Sequence, residues 1–392
     1  MLLLVWPGCR NTPDNINRTA VIVTLKLPEN LMNANPVLLN EGLVYSFKNI
    51  STGQVFTFAE TKAILLPEGL YDCFFEGWLS SGTSDKIKIK AYAPSLQILG
   101  SSVSIELKSF KAPAKSGFVF EELFFTGVLT PQGKQYHGCS YFKIRNNSDK
   151  LLYADSLVIC ESRFISTQKW DYQPDIRSQA MPVFAVYMIP GKGKDVPVKP
   201  GESLLIADIA IDHRKANLNA YNLSGANFEW FDNSSRPSIQ DTDNPLVPNL
   251  DKIYCYTLSI WVPHNRGFRS YALARMKTDK DSYLRDYIYE YSYVMKLPSG
   301  VFPMTGKGYK MPNAWMEDVV NCSIESDYVW NLVDPSLDTG WTYVSKIDHD
   351  KTRYNKSVRR KIAYVTREGL EILQDTNNSS DDFIPAAQPS MK

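Results

Sequence analysis

Residues 86–93 read KIKIKAYA and residues 101–110 read SSVSIELKSF, so both segments alternate apolar with polar side chains. This period of two is typical of a β-strand that buries one face. The pattern extends back along the chain through AVIVTLKL at Ala20–Leu27 and GLVYSFKN at Gly42–Asn49. Residues 19–110 are therefore predicted to form an all-β unit of about seven strands, the size of a sandwich domain.

A second β pattern follows the sequence KAPAKSG at Lys111–Gly117, which has the composition of a linker. It covers residues 117–392 and is interrupted by stretches rich in Pro, Gly, Asn and Asp, at about Asp171–Gly201 and Pro237–Lys252. We expect these long loops to present any ligand or protein surface of the second domain.

Helix signals are few. A short helix is predicted near Ser282–Arg285, and another over Pro312–Asn321, where Pro312 could occupy the first helical position and Glu317 and Asp318 are acidic. The predicted fold class is mostly β: two β-sandwich, Ig-like domains, the second larger, with long loop insertions and one or two short helices.

The net charge and the aromatic content limit the classes of function that the chain can have. Lys plus Arg number 43 and Asp plus Glu 42, a formal net charge of +1, so no overall charge steers the chain to nucleic acid. The chain has 22 Tyr, 18 Phe and 8 Trp. Aromatic residues favour strands and form sugar-binding and protein-binding surfaces, although filling sandwich cores is their commoner role.

The first nine residues, MLLLVWPGC, are a short apolar run ending at Cys9. This is typical of the end of a secretory signal followed by a lipoprotein processing site, in which Cys9 would become the acylated first residue. Residues 1–18 are thus expected to be a signal remnant and polar tether. A buried strand with a core cysteine is the alternative.

The other cysteines stand in apolar, strand-like surroundings and form no CxxC pair, which excludes a zinc ribbon. Buried thiols are the main expectation, and one disulfide is the alternative. These residues are Cys73, Cys139, Cys160, Cys255 and Cys322.

Oxygen ligands for Ca²⁺ are the metal-binding interpretation that the sequence favours most, although neither group of candidates matches an EF-hand loop. The alternative is Asx-turn chemistry, in which these side chains bond their own backbone. The calcium candidates are Asp241, Asp243 and Asn244, and further along Asp375, Asn377, Asn378, Asp381 and Asp382.

No catalytic residue is predicted. The chain lacks G-x-S-x-G, H-E-x-x-H and the phosphate-loop spacing. The sequence does not exclude a glycosidase-like cleft in which two acidic side chains meet. The basic run from Arg353 to Lys361 is expected to be a solvated face or to pair internally with aspartates, and contact with an anionic glycan or lipopolysaccharide is the alternative. The ligand-binding candidates are Trp230, His264, Arg266, Trp315, Trp341 and His349. Trp261 and Trp330 are further aromatic residues that could contact a ligand. The alternative is that tryptophans in strand-like segments such as FEWF pack inward.

Eight motifs, in order over most of the chain from Gly117, carry a resemblance to a known family: YFKIRNNSDKLLYADSLVIC, PVKPGESLLIADIAIDHR, LSGANFEWFD, VPNLDKIYCY, HNRGFRSYALAR, VNCSIES, DHDKTRYNKSVRRK and DTNNSSDDF. They resemble a Bacteroidota cell-envelope lipoprotein family of unknown function. The first and last motifs also resemble lamin-tail-type sandwiches, and the LPEGLY stretch at Leu66–Tyr71 resembles Ig-like or prealbumin-like repeat domains.

The resemblance implies a protein anchored in the cell envelope, often encoded beside outer-membrane transport components. We therefore expect a lipid-anchored protein of the outer membrane or cell surface that serves as a non-catalytic binding or accessory component of nutrient uptake. Its expected partners are an outer-membrane transporter or other envelope protein and a glycan or small molecule, without nucleic acid. The alternatives are an adhesin or structural envelope protein, and a hydrolase without a recognisable motif.

Overall fold

A computed structural model describes residues 17–27, 36–59, 64–80, 86–111, 117–234, 236–366 and 368–391. The chain divides into two units, residues 1–112 and 113–392. Strands predominate in both, and helices are few and short, so the mostly β class is confirmed. Cys9 and the predicted tether up to Ile16 lie outside the described residues.

The first unit is a seven-stranded sheet in the order β3-β2-β5-β6-β7-β1-β4. Its pairs are antiparallel except β1 with β7, which are parallel. The predicted strands at Ala20–Leu27 and Gly42–Asn49 are confirmed within β1 and β2. The strands are β1 (Arg18–Lys26), β2 (Val37–Asn49), β3 (Val55–Phe58), β4 (Ile64–Pro67), β5 (Gly69–Ser80), β6 (Lys86–Ile98) and β7 (Ser102–Lys111).

Alternation explains the core of this unit. Along β5 every second side chain is buried, including Tyr71, Cys73 and Phe75, while those between them are partly exposed. They pack with Tyr45 and Phe47 of β2 in one hydrophobic cluster. The period of two in the sequence therefore becomes a sheet with one buried face.

The second unit contains two large sheets. One has the order β17-β16-β11-β8-β23-β26, and the other β20-β21-β14-β13-β19-β22, with β18 also beside β14. Side chains of both sheets share one hydrophobic core, in which Phe142 faces Trp230, Trp261 and Tyr271 at ring distances of 5.2, 6.0 and 5.2 Å. Buried aromatic residues therefore join the two layers.

The strands of the second unit are short and many. They are β8 (Phe118–Phe124), β9 (Val128–Leu129), β10 (Gln135–Tyr136), β11 (Tyr141–Asn146), β12 (Leu152–Tyr153), β13 (Leu157–Ser162), β14 (Ala180–Met188), β15 (Pro197–Val198), β16 (Ser203–Ala207), β17 (Phe228–Glu229), β18 (Asp251–Cys255), β19 (Tyr271–Arg275), β20 (Ile288–Leu297), β21 (Gly300–Pro312), β22 (Met316–Val320), β23 (Ser357–Arg360), β24 (Ile362–Val365), β25 (Glu371–Leu373) and β26 (Phe383–Ala387).

Helices are confined to short segments: α1 (Lys280–Asp286), α2 (Ser379–Asp382) and 3-10 turns at His213–Lys215, Asn313–Trp315 and Lys351–Arg353. Helix α1 confirms the prediction near Ser282–Arg285, and its first turn is capped by Asp279, which accepts from the Ser282 N–H.

The helix predicted over Pro312–Asn321 is wrong. Pro312 ends β21, and after a single 3-10 turn the chain continues as β22, which pairs with β19. The tertiary pairing outweighs a local helical signal that is only about three turns long.

The five cysteines from Cys73 to Cys322 are buried free thiols, so the main expectation for them is confirmed. Within the described residues, no helix is both long enough and apolar enough to cross a bilayer.

Candidate ligand-binding site

An aromatic pocket of about 100 Å³ lies beside strand β20 in the second unit. Five aromatic side chains line it: Phe164, Trp170, Tyr172, Tyr289 and Trp330. Its polar lining residues are Lys169, Asp171, Gln173, Asp175 and Arg177. Its volume is that of a cleft that takes part of one ring-sized group and leaves the remainder of a ligand outside.

Three separate segments bring these rings together. The loop after β13 contributes Phe164, Trp170 and Tyr172; strand β20 contributes Tyr289; and the loop after β22 contributes Trp330. The first loop is fixed to β20 because Gln173 and Ser292 exchange two backbone hydrogen bonds, of 2.8 and 2.9 Å. The loop is therefore held against the sheet like an additional short strand.

The rings stack on one another in a continuous series. Phe164 and Tyr172 are 3.8 Å apart with planes 16° apart, and Tyr172 and Trp330 are 6.0 Å apart at 25°. On the other side, Tyr293 lies 5.2 Å from Tyr172 and 6.5 Å from Trp170. Tyr293 shares a face of β20 with Tyr289 because their positions differ by four residues in a strand. The aromatic surface is therefore rigid before any ligand arrives.

The largest ring is fixed by its polar edge. The indole N–H of Trp330 donates to the carbonyls of Ile165 and Gln168, both at 3.0 Å. These bonds satisfy the buried donor and orient the ring within the pocket. Replacing Trp330 would thus disturb the loop as well as the pocket.

Charged groups surround the aromatic surface. Lys169 Nζ and Arg177 Cζ lie 5.7 and 5.0 Å from the centre of the Trp330 ring, within cation–π range. Arg177 also donates to Asp175 at 2.6 Å, and this hydrogen bond holds the pKa of the Asp175 carboxyl below its usual value. The site thus combines stacking faces with donors and acceptors at its rim, which is the chemistry that recognises a sugar ring.

The tryptophans chosen from sequence lie elsewhere. Trp230 is fully buried in the core of the second unit, as inward packing predicts, so its ring does not reach a ligand. Trp315 lines a different cavity of about 400 Å³ together with Arg275 and Lys277, and Trp341 stacks on Tyr328 at 5.3 Å.

The polar candidates do converge, in a separate loop cluster. Arg266 Nη1 donates to Asp348 Oδ1 at 2.7 Å and lies 3.5 Å from His349 Nε2. His264 Nδ1 accepts from the Phe268 N–H at 3.2 Å. Burial, followed by the charges of Arg269 and Arg266, lowers the pKa of His264 to about 3, so this imidazole is neutral at physiological pH.

The first group of calcium candidates makes turn contacts. Asp241 accepts from the backbone N–H groups of Asp232 and Thr242, and Asp243 accepts from the Asn249 amide. Asn244 accepts from the Leu246 N–H. The Asn244 bond is the Asx-type bond of the alternative interpretation, and Asp241 and Asp243 instead join their loop to neighbouring segments.

The second group is divided between turns and ion pairs. Asn377, at φ 57°, donates to Ser336 O, and Asn378 donates to Asp381. Asp375 and Asp382 point instead to a buried arginine. In the parts of the chain that the structure describes, no three His, Cys, Asp or Glu side chains are arranged to hold a metal ion.

The cluster of acidic side chains around the buried Arg360 was not predicted when metal and ligand candidates were taken from the sequence. Arg360 donates to both oxygens of Asp318, at 2.7 and 2.6 Å, and lies 3.4 Å from Asp375 and 3.7 Å from Asp382. Internal pairing of the basic run with aspartates is thus confirmed at Arg360. Asp318, Asp375 and Asp382 are buried around this guanidinium, and Asp375 also lines the cavity of about 400 Å³ together with Glu317.

Comparisons with known proteins identify one domain. Residues 199–390 match the family described as "Protein of unknown function (DUF4876)". A solved structure of a DUF4876 family protein from Bacteroides thetaiotaomicron is 20% identical, with a TM-score of 0.55; the match covers 94% of this chain and 98% of that chain. At this identity the likeness concerns the fold alone. No curated protein matches the chain. The family of unknown function that the motifs predicted is thus supported over residues 199–390, and the similar solved structure comes from a Bacteroides species.

Proposed function

We propose that this chain, which carries a DUF4876 domain at residues 199–390, is a lipid-anchored cell-surface protein that binds a glycan without catalysis, as an accessory component of outer-membrane uptake. The aromatic pocket is the observation that carries the proposal. In it, the rings of Phe164, Tyr172 and the buried Trp330 stack on one another, the ring of Trp170 is half-buried, and Lys169, Asp171 and Gln173 complete the lining.

The physical argument is that sugar rings present apolar C–H faces and polar edges. An aromatic face removes the C–H surface from water, while amide, carboxylate and ammonium groups at the rim replace the hydrogen bonds that hydroxyls lose. A fixed surface lowers the entropic cost of binding because few side chains need to be ordered. The small volume of the pocket, about 100 Å³, suits part of one sugar unit with the remainder of the glycan in solvent.

The experiment measures binding of the purified protein to oligosaccharides of glucose, mannose, xylose, galactose and N-acetylglucosamine by isothermal titration calorimetry. Trp170→Ala tests the pocket, because Trp170 is only half-buried and its loss spares the Trp330 hydrogen bonds. We expect about tenfold weaker binding, the order of one ring stacking contact.

The matched control is Trp341→Ala, which removes a half-buried tryptophan that stacks on Tyr328 outside the pocket. It should leave sugar affinity unchanged. Equal affinities of the Trp170→Ala variant and the unaltered protein, or no binding to any of the five sugar classes, would reject glycan binding at this site.

The lipid anchor is part of the proposal and rests on the lipoprotein-like sequence that ends at Cys9. Cells expressing the full-length protein are labelled with an alkyne-bearing fatty acid. Label should enter the protein and disappear in Cys9→Ala, while Cys73→Ala, which alters a buried thiol, should stay labelled. Label that persists in Cys9→Ala would reject the anchor.

The proposal includes Ig-like, lamin-tail-like packing for the second unit and Ig-like or prealbumin-like packing for the first. The shared core between the two sheets of the second unit supports the former.

Docking to an envelope protein is a second candidate function. The β20–β21 hairpin exposes apolar side chains near its tip, among them Leu297, Val301 and Phe302. Exposed apolar clusters of this kind mark protein contacts. Photo-crosslinking from position 301 in intact cells should capture an outer-membrane protein, and Phe302→Lys in the same crosslinking protein should abolish that product.

A further inference from the structure

We propose that a second cavity, formed by β9 and the loops around residues 214–222 and 351–355, binds a sugar-sized molecule that carries an acidic group, a phosphate or a carboxylate. The cavity holds about 620 Å³, within the range of small-molecule sites. Its wall includes Arg214, Asn219, Tyr221, Lys351, Tyr354 and Asn355. We call it the basic cavity.

The charge of the lining favours an anion. Arg214 and Lys351 contribute positive charge, and no Asp or Glu is among its described lining residues. Asp212 lies close by and forms a two-bond ion pair with Arg214, at 2.8 and 2.9 Å. Asp350 is engaged by the N–H and hydroxyl of Thr352. Lys351 therefore remains the exposed cation at the mouth of the cavity.

A buried arginine lies directly behind the wall. Arg353 is 7% exposed, and its guanidinium carbon is 4.3 Å from the centre of the Tyr354 ring, which lines the cavity. Its hydrogen-bond partners are neutral: the carbonyl of Asp350 and the hydroxyl of Tyr354. Among the described residues, Arg353 Nε has no partner. A buried guanidinium bonded only to neutral groups is costly, and a nearby anion lowers that cost.

The charge of Arg353 acts on its surroundings. Burial, and then the positive charge of Arg353, lowers the pKa of His137 to about 4. His137 therefore carries no charge at physiological pH, and its ring nitrogens lie 3.4 Å from the Gln135 amide and 3.3 Å from the Asn265 amide. This neighbour therefore adds no charge beside the positive charge of Arg353.

The polar wall fits the body of a sugar. The hydroxyl of Tyr221 donates to Asn355 Oδ1, which leaves the Asn355 NH₂ group as a donor toward a ligand. Asn219 is fixed because its NH₂ group donates to Leu129 O at 2.9 Å, which leaves its Oδ1 as an acceptor. Tyr354 and Tyr221 add ring surface. Donors, an acceptor and two rings beside the Lys351 ammonium match an acidic sugar better than a bare ion.

The test compares glucose 6-phosphate, glucuronate, glucose and inorganic phosphate by calorimetry with the purified full chain, at low salt and at about 0.5 M salt. The acidic sugars should bind at least about tenfold more tightly than glucose, and binding should weaken at high salt. Inorganic phosphate should bind more weakly than glucose 6-phosphate. Phosphate binding as tight as that of glucose 6-phosphate would overturn the sugar part of the proposal.

Lys351→Gln removes the exposed charge and keeps most of the side-chain length, so it does not threaten folding. It should bring the affinity for glucose 6-phosphate close to that for glucose, and Lys192→Gln, which alters an exposed lysine on another loop, should change nothing. Unchanged affinity in Lys351→Gln would overturn the proposal. Trp170→Ala should leave acidic-sugar binding intact, which separates this site from the aromatic pocket.

Discussion

Two ion clusters, one in each unit, combine the same kinds of charge in opposite surroundings. In the first unit, Glu76 of β5 lies between Lys88 at 2.7 Å and Lys90 at 3.7 Å on the exposed face of the sheet. In the second unit, Arg360 of β23 lies among three aspartates with its side chain 1% exposed. The two clusters differ most in their exposure to solvent and in the ratio of positive to negative groups.

That difference decides the energetics. Water screens the Glu76 cluster, so its ion pairs contribute little to stability. The Arg360 cluster is buried away from water, and in it one guanidinium faces three carboxyl groups. Burial raises the pKa of Asp318 and of Asp382 to about 7, against the opposing attraction of Arg360. The cluster therefore takes up protons to approach neutrality, which an exposed cluster has no need to do.

The largest effect should come from Arg360→Met, which keeps apolar volume and removes the only cation of the cluster. We expect the second unit to lose about 3–5 kcal/mol of unfolding free energy, because buried acids are left without their partner. Urea unfolding followed by hydrogen exchange would report each unit separately. Arg359→Met, at a half-buried position on the same strand, is the control, and an equal loss in both variants would contradict the comparison.

The second prediction concerns pH. The pKa values of Asp318 and Asp382 are higher in the folded chain than in the unfolded chain, so the folded chain binds more protons between about pH 4 and 7. The lowered pKa values of His137 and His264 oppose this effect below about pH 6.5, where those side chains take up protons on unfolding. The unfolding free energy of the second unit should therefore fall by about 2 kcal/mol as pH rises from about 6.5 to about 8.

Hydrogen exchange across that pH range is the measurement. Amides of β8 and β23 should lose protection as pH rises, after correction for the intrinsic exchange rate. Amides of β5 should not, because the raised pKa values in the first unit, those of Tyr45 and Cys73, lie at about 12. Stability of the second unit that rises with pH over this interval would reject the account of the cluster.

Much of the fold follows from short-range patterns. Alternation alone places β1, β2, β6 and β7, because a strand with one buried face repeats every two residues. The Pro312–Asn321 helix fails because its acidic residues serve long-range partners: Asp318 accepts from Arg360 and from the Phe120 N–H. A window of ten residues contains no sign of either contact.

The candidate site is less predictable for the same reason. Trp330 stands out from sequence, but Phe164 and Tyr172 meet it only through the fold, across more than 150 residues. The carboxylates of Asp375 and Asp382, predicted to be oxygen ligands of a cation, do face one, and that cation is the guanidinium of Arg360. The sequence identifies such charged side chains, but the tertiary fold determines which side chains they contact.

The third prediction concerns the excess of negative charge in the Arg360 cluster. Asp375 raises the pKa of both Asp318 and Asp382 by repulsion, so Asp375→Asn should move the pH midpoint of stability to lower values. At pH 8 the variant should be more stable than the unaltered protein by about 1 kcal/mol, because a buried repulsion has been removed while an amide oxygen still faces Arg360. Urea titrations at pH 5 and pH 8 measure this, and a loss of stability at both would show that Asp375 is a net attractive partner.

The smallest effect is expected at the exposed cluster. Glu76→Gln removes the charge that Lys88 and Lys90 share but keeps a side chain of the same shape, so the first unit should change by less than about 1 kcal/mol. The difference should shrink further at about 1 M salt, where charges separated by more than about 3 Å are screened. Urea unfolding at low and high salt, read from the amides of β5 and β6, gives both values. A loss of unfolding free energy as large as that of Arg360→Met would mean that burial does not explain the difference between the two clusters. Exposed ion pairs would then stabilise the protein as much as buried ones.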